Sequence, residues 1–291
     1  MHLGSLLGIP VLVDPLFLVM LFGLSLFGFL PQTLVLFWVV LLHELAHVLV
    51  AKYNDLFIEE IELLPFGGVA RIDGMLQLNP PIEIRVAIAG PLVNLILAGV
   101  TTFFFDDIPV SEQWLLFFIQ ANFGMAIFNL LPTLPLDGGR VLRSILTSKM
   151  GFKQATERVV FFSKFLAIII ALLGVAITYI YGNFNSLIFL VMGFFIFTAS
   201  HKEKREATYL FMRYLTRKKQ QLRLARVMDV RQLVATDESS LGEILRKFVP
   251  PNYHIVWIVD LEGTIIGKIG EIDLINALFD KGLTTKIGDL I

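Results

Sequence analysis

The sequence predicts an α-helical polytopic membrane protein with about six transmembrane helices, a membrane-associated β-hairpin and a small cytoplasmic α/β domain. Composition is the first observation: 56% of the 291 residues are hydrophobic and only 17% are charged, whereas soluble domains average about 25% charged residues. The second is uneven charge, because residues 1–200 carry 9 of the 24 Lys and Arg residues and residues 201–291 carry 15. The third is a series of apolar stretches of about 20 residues, the length that crosses a bilayer as a helix.

The predicted spans cover residues 11–30, 33–52, 84–105, 113–131, 159–181 and 184–200. No Lys or Arg precedes the first stretch and no small-residue cleavage site follows it, so we expect a retained span and not a signal peptide. Connections on one side of the membrane contain no Lys or Arg, whereas those on the other side are basic. By the positive-inside rule, both termini are therefore expected in the cytoplasm.

The same shift in charge predicts three segments along the chain. They are a membrane domain over 1–200, a basic linker helix over 201–225 and a cytoplasmic domain over 226–291. The linker is expected either to lie on the anionic inner leaflet or to remain in solvent. The chain contains no Cys, which excludes disulfides and thiol chemistry, and no nucleic-acid partner is expected.

The stretch HELAH, residues 43–47, lies inside the second predicted span. On a helix, His43 and His47 project from the same face and could bind one Zn²⁺. Glu44 lies about 100° further round, where it could take a proton from a water on the metal. Ionisable groups at the centre of a bilayer cost about 2.5–3.5 kcal/mol each on insertion scales, so these residues indicate function. A proton relay or gating pair in a transporter is the alternative.

A third zinc ligand is predicted at Asp137, within FNLLPTLPLDGGRVL at 128–142. Asp137 and the two histidines are expected near the same cytoplasmic leaflet, so they could share one ion. The alternative role for Asp137 is a helix N-cap. Pro132 and Pro135 exclude regular helix before Asp137, and non-helical backbone at membrane depth must line a cavity or be buried in protein.

Further polar and glycine-rich stretches are candidate substrate contacts. Residues 56–73 predict a hairpin whose edge could pair with an unwound substrate; an ordinary surface hairpin is the alternative. Asn129 could hydrogen-bond substrate or an oxyanion, or equally tie helices together. Gly90, Pro91 and Asn94 are interpreted as a helix-packing notch. The candidate substrate-binding residues are Asn129, Pro132, Pro135, Phe66, Gly67 and Gly68.

Four stretches resemble, in order and spacing, the signatures of the site-2 protease family of intramembrane zinc metalloproteases. They are HELAH (43–47), LLPFGG (63–68), AGPLVN (89–94) and NLLPTLPLDGG (129–139). The resemblance covers about residues 35–145. It implies that His43, His47 and Asp137 bind one zinc ion per chain and that Glu44 is the catalytic base.

The short N-terminus and single small soluble domain resemble the sporulation branch of that family. This resemblance implies a protein substrate, the pro-form of sigma-K, and inhibitory membrane partners. It also implies a place in the outer forespore membrane, with the C-terminal domain in the mother cell. Residues 226–291 predict a β-α-β-β-α order similar to one CBS motif. This resemblance implies either a homo-oligomer formed through this domain or a partly degenerate module. It also suggests adenine-nucleotide binding, and a docking platform for substrate or partners is the alternative.

Three other functions remain open on the sequence alone. One is a general site-2 protease that cuts anti-sigma factors or signal-peptide remnants. Another is an ion or proton transporter that uses the His/Glu cluster. The last is a catalytically idle scaffold, against which the full set of Glu44, two His and Asp137 argues.

Overall fold

The computed structural model describes residues 2–6, 9–56, 58–64, 67–72, 74–182, 184–225, 227–249 and 252–290. The chain folds into two compact units. One comprises Met1–Leu76 with Pro81–Val141, and the other comprises Gln77–Pro80 with Leu142–Ile291.

The first unit combines a small sheet with helices. Its elements are β1 (His2–Leu6), β2 (Ile9–Val13), α1 (Pro15–Leu26), α2 (Leu30–Tyr53), β3 (Ile58–Leu64), β4 (Gly67–Ile72), a 3₁₀ turn (Gly74–Leu78), α3 (Pro80–Phe103), α4 (Glu112–Asn129) and the start of α5 (Asp137–Met150). Asp14 caps α1 by accepting a hydrogen bond from the Leu16 amide, and Pro15 occupies the first helical turn, where its missing N–H costs nothing.

The four strands form one sheet in the order β1-β2-β3-β4. β3 and β4 are antiparallel, which confirms the predicted hairpin, although Pro65 and Phe66 in its turn lie outside the described residues. β2 pairs with β3 in parallel, a pairing that the sequence analysis missed. The predicted first span over 11–30 is therefore wrong at its start. Ile9–Val13 is a strand, in keeping with the preference of its β-branched Ile and Val residues for β-structure, and the helix begins only at Pro15.

Within the described part of the chain, three helices are long and apolar enough to cross a membrane: α2, α3 and, in the second unit, α6 (Phe152–Tyr181). The protein is accordingly mostly helical, with membrane-spanning candidates and a small sheet. α1 has 12 residues, shorter than the roughly 20 that cross a bilayer. The full set of six spans remains a prediction.

The second unit begins within α5 and continues through long helices into a small α/β domain. Its further elements are α6 (Phe152–Tyr181), a 3₁₀ turn (Phe184–Ser186), α7 (Leu187–Ala225), β5 (Val230–Thr236), α8 (Leu241–Leu245), β6 (Tyr253–Val259), β7 (Ile265–Gly270), α9 (Glu271–Lys281) and a 3₁₀ turn (Ile287–Leu290). α7 is continuous through residue 200, so the predicted linker segment 201–225 forms its second part.

The strands of the second unit form a sheet in the order β5-β6-β7, with β5 parallel to β6 and β6 antiparallel to β7. The element order agrees with the predicted β-α-β-β-α pattern. Its core is made of large apolar side chains with little or no exposure, including Leu241, Phe248, Val256, Ile258 and Leu274. The CBS-like identity of this domain remains a prediction.

Candidate metal centre

Three predicted ligands converge inside the first unit. His43 and His47 lie one turn apart on α2, with 2% and 4% of their surface exposed, and Asp137 is the first residue of α5, 5% exposed. The Asp137 Oδ2 atom lies 3.1 Å from Nε2 of His43 and 3.3 Å from Nε2 of His47. The carboxylate thus faces the histidines, which is not the arrangement of a simple N-cap.

The opposite ring nitrogen of each histidine has its own partner. Nδ1 of His47 lies 2.7 Å from the Val86 carbonyl oxygen, which can only accept, so this nitrogen donates. Nδ1 of His43 faces Oδ1 of Asn94. With Nδ1 protonated in a neutral ring, Nε2 carries a lone pair.

A chain of amides fixes the orientation of Asn94. The Asn122 side chain donates to the Phe118 carbonyl oxygen at 2.9 Å, and Asn94 donates to Oδ1 of Asn122 at 2.8 Å. Because a carbonyl cannot donate, Asn122 must turn its oxygen toward Asn94, and Asn94 must turn its oxygen toward His43. The Phe118 carbonyl therefore sets the tautomer of His43 through two buried amides.

The facing atoms fit a divalent cation. Two imidazole lone pairs and a carboxylate oxygen, all within 4.8 Å of one another, repel unless a positive charge lies among them. Ligands about 2.0–2.1 Å from a tetrahedral zinc ion lie about 3.3 Å apart, close to the observed 3.1 and 3.3 Å. Two His and one carboxylate form the donor set of a catalytic zinc site, which leaves a fourth position open.

Gly90 on α3 provides room for this ion. A Cβ atom at Gly90 would lie 2.5 Å from Nε2 of His47 and 2.6 Å from Nε2 of His43. Gly90 and Asn94 were interpreted as a packing notch, but both adjoin the candidate metal ligands. Their i, i+4 spacing places them on one face of α3, but it does not show which residues that face meets.

We expect Gly90→Ala to reduce zinc binding strongly, because its methyl group would occupy the space between the two Nε2 atoms. Metal analysis of the purified variant measures this effect. Gly99→Ala is a matched control on the same helix, since a Cβ there meets nothing within 4 Å. Equal zinc content in both variants would show that Gly90 does not border the ion.

Asn94→Leu is expected to weaken zinc binding by about 10–100-fold, the usual cost of losing a partner that orients a metal-bound histidine. Chelator competition measures the affinity directly. Ser163→Ala serves as the control, because it also removes a fully buried hydrogen bond, within α6. An affinity unchanged from the native protein would contradict the orienting role of Asn94.

Glu44 lies beside the ligands, on the same turn of α2. It is half-buried, and its carboxylate interacts electrostatically with His47, His43 and Asp137. Arg140, one turn after Asp137 on α5, acts electrostatically on both carboxylates. Arg140 is a site residue that was not predicted, although its i, i+3 spacing from Asp137 places it on that side of the helix.

The segment between α4 and α5 is non-helical, as Pro132 and Pro135 predict, and the Leu134–Pro135 peptide bond is cis. Gly138 and Gly139 pack directly on it, since Cβ atoms there would lie 2.2 Å from backbone atoms of Leu130 and Thr133. The two glycines therefore let α5 start close to this segment, with Asp137 aimed at α2.

The described residues among the predicted substrate contacts lie on α4, on the segment between α4 and α5, and on β4. Pro132 is exposed and Pro135 half-buried. Asn129 ends α4 and donates to the Met125 carbonyl oxygen at 3.1 Å. Gly67 and Gly68 begin β4, opposite Leu64 and Leu63. A role for any of them toward substrate remains a prediction.

Comparison with known proteins gives consistent matches. The sequence pattern of peptidase family M50 matches residues 31–110 and 107–174. A zinc metalloprotease of Methanocaldococcus jannaschii is 32% identical over 281 residues, which cover 92% of this chain and 77% of that protein. Stage IV sporulation protein FB of Bacillus subtilis is 32% identical over 130 residues, 44% of each chain. The solved site-2 protease from M. jannaschii matches with a TM-score of 0.53 and 32% identity, covering 70% of this chain and 94% of that one.

Proposed function

The chain belongs to peptidase family M50, the site-2 zinc metalloproteases, and we propose that it cuts a membrane-associated protein substrate near the cytoplasmic face. The observation that carries this proposal is the buried cluster of His43, His47 and Asp137, with room for an ion beside Gly90. His43, His47 and Asp137 would hold the zinc ion, and Glu44 would act as catalytic base.

Each residue has a distinct task in the proposed reaction. When bound, zinc supplies Lewis acidity that activates a water molecule and polarises the scissile carbonyl. The Glu44 carboxylate accepts a proton from the water and returns it to the leaving amine. Asn94 and the Val86 carbonyl hold the imidazole rings with Nε2 toward the site.

The substrate must be extended to be cut, and we propose that β4 receives it. β4 is the last strand of its sheet and lies against α2, which carries both histidines. An open strand edge can pair with an extended peptide. Gly67 and Gly68 lie at the start of that edge. They are proposed substrate contacts together with Phe66, Asn129, Pro132 and Pro135.

For the substrate itself we propose the pro-form of sigma-K. Similarity to stage IV sporulation protein FB supports this choice, over 44% of each chain. The corresponding location is the outer forespore membrane, with inhibitory membrane partners. The CBS-like domain would bind an adenine nucleotide and pair with a second copy. The rival substrates are anti-sigma factors and signal-peptide remnants.

Co-expression with a panel of precursor sigma factors, anti-sigma factors and signal peptides tests this proposal, with native and Glu44→Gln proteins compared on each candidate. We expect the pro-form of sigma-K to be shortened by the native protein alone. Cleavage of anti-sigma factors or signal-peptide remnants only would reject the sigma-K assignment. Ion flux in liposomes that a zinc chelator does not change, without cleavage of any precursor, would favour a transporter.

A further inference from the structure

A groove runs along the outer edge of β5 in the second unit. It is a cavity of about 530 Å³ lined by Leu233, Val234, Ala235, Thr236, Ser239, Glu243, Ile244, Arg246, Lys247 and Gln154, and we call it the β5 groove. Four of these residues are consecutive on one strand. Successive side chains of a strand point to opposite faces of the sheet, so a cavity on one face would contact only every second residue. A cavity lined by four consecutive residues therefore lies along the edge of the strand.

β5 has an unpaired edge on that side. All seven of its residues pair with β6, and in the described part of the chain no other strand adjoins it. The outer edge therefore presents backbone N–H and C=O groups to the groove. Val234 on this strand is 70% exposed, so apolar surface accompanies the open edge.

The opposite wall of the groove is positively charged. Arg246 and Lys247 are exposed beyond the end of α8, and neither forms an ion pair within the described residues. Glu243 offsets them only in part, because its carboxylate accepts hydrogen bonds from the Ser240 amide and hydroxyl, each at 2.9 Å. These bonds lower the pKa of Glu243 and keep its charge at the helix cap.

An adjoining cavity of about 430 Å³ extends the groove. It shares Gln154 and Arg246 with the β5 groove and adds Glu157, Arg158 and Phe161 of α6. Arg158 contributes a further positive charge and Phe161 an exposed aromatic ring. Together the two cavities adjoin the backbone edge of β5 and three cationic side chains, with Glu157 and Glu243 as the negative charges among them.

We propose that the β5 groove binds an extended, acidic segment of a partner protein, which adds a fourth strand to the β5-β6-β7 sheet. Only an extended chain matches the spacing of the free backbone groups on β5. Asp or Glu side chains of that segment would face Arg246 and Lys247. Alternate apolar side chains would pack on Leu233 and Ile244.

The groove adjoins the C-terminal end of α5, the helix that begins with Asp137. Arg231 on β5 donates to the Ser148 carbonyl oxygen at 3.1 Å. A Cβ atom at Gly151, just after α5, would lie 2.6 Å from the Arg246 carbonyl oxygen. A segment bound in the groove would therefore be held against the junction of α5 and α6.

Peptide binding to the full chain in detergent tests this inference, which does not rest on the proposed proteolysis. The Glu44→Gln protein serves as host, so that no probe is cut. The probe is a labelled peptide in which Glu alternates with Val. The comparison probes carry Lys in place of Glu, or N-methyl groups that block backbone pairing. The host is compared with two double variants made in the same background. The test variant carries Arg246→Ala and Lys247→Ala. The control variant carries Lys268→Ala and Lys286→Ala, which remove the same amount of positive charge elsewhere in the domain.

We expect the acidic peptide to bind the host and the control equally, and the Arg246/Lys247 variant about tenfold more weakly, as for two exposed charged contacts. Hydrogen exchange at residues 233–236 should slow when the peptide is bound. Equal binding of the Lys or N-methylated peptide, or unchanged exchange at β5, would overturn the proposal. Binding of ATP in place of the peptide, dependent on Arg246 and Lys247, would identify a small-anion site and also overturn it.

Discussion

Glu44→Gln is expected to abolish cleavage while leaving zinc content and fold unchanged. Gln has the size and shape of Glu but cannot accept a proton, so the variant loses general-base catalysis, which contributes about 10²–10⁴-fold to rate. Glu44 is beside His43 and His47 and outside the group of candidate ligands, which is why bound zinc should be retained. Cleavage of the protein substrate and metal analysis of the same preparation measure both quantities.

Glu112→Gln is the matched control, since Glu112 is exposed at the start of α4 and outside the described metal cluster. It should cut at the native rate. If Glu44→Gln also cut at the native rate, the base would have to be another group. If it lost zinc together with activity, Glu44 would belong to the ligands.

Asp137→Asn is expected to remove bound zinc. The amide lacks the negative charge that balances the ion in a buried site, and its N–H₂ group cannot serve as a ligand. Metal analysis should show the zinc content falling from about one ion per chain to a small fraction of that. Thermal unfolding provides a second measurement, because an ion bound only to the folded state stabilises it.

Chelation separates the two possible roles of Asp137. The native protein should lose thermal stability on chelation, whereas Asp137→Asn should be unaffected. Asp107→Asn, in an exposed loop, should behave as the native protein. Unchanged zinc content in Asp137→Asn would leave Asp137 with only a helix-capping role.

The parts of the site that depend on local spacing could be predicted from the sequence. His43 and His47 are one helical turn apart, and the prolines before Asp137 interrupt regular helix, both of which follow from neighbouring residues. That Asp137 on α5 lies close to the two histidines on α2 could be inferred from the sequence only because all three residues were expected at the same depth in the membrane. The tight packing of Gly138 and Gly139 that permits it became visible in the structure.

The orienting residues could not be predicted, because they act between helices. Asn94 on α3 and Asn122 on α4 join the site through contacts separated by 51 and 28 residues in sequence. No local pattern specifies which buried amide meets which ring. Parallel pairing of β2 with β3 was missed for the same reason, since such strands are joined by a long crossover.

The most direct test of the central claim is an anomalous difference map, recorded at the zinc absorption edge from crystals of the zinc-loaded protein. We predict one strong peak about 2.0–2.2 Å from Nε2 of His43, Nε2 of His47 and a carboxylate oxygen of Asp137. A peak elsewhere in the chain, or a map in which these three side chains share no ion, would contradict the proposed metal centre.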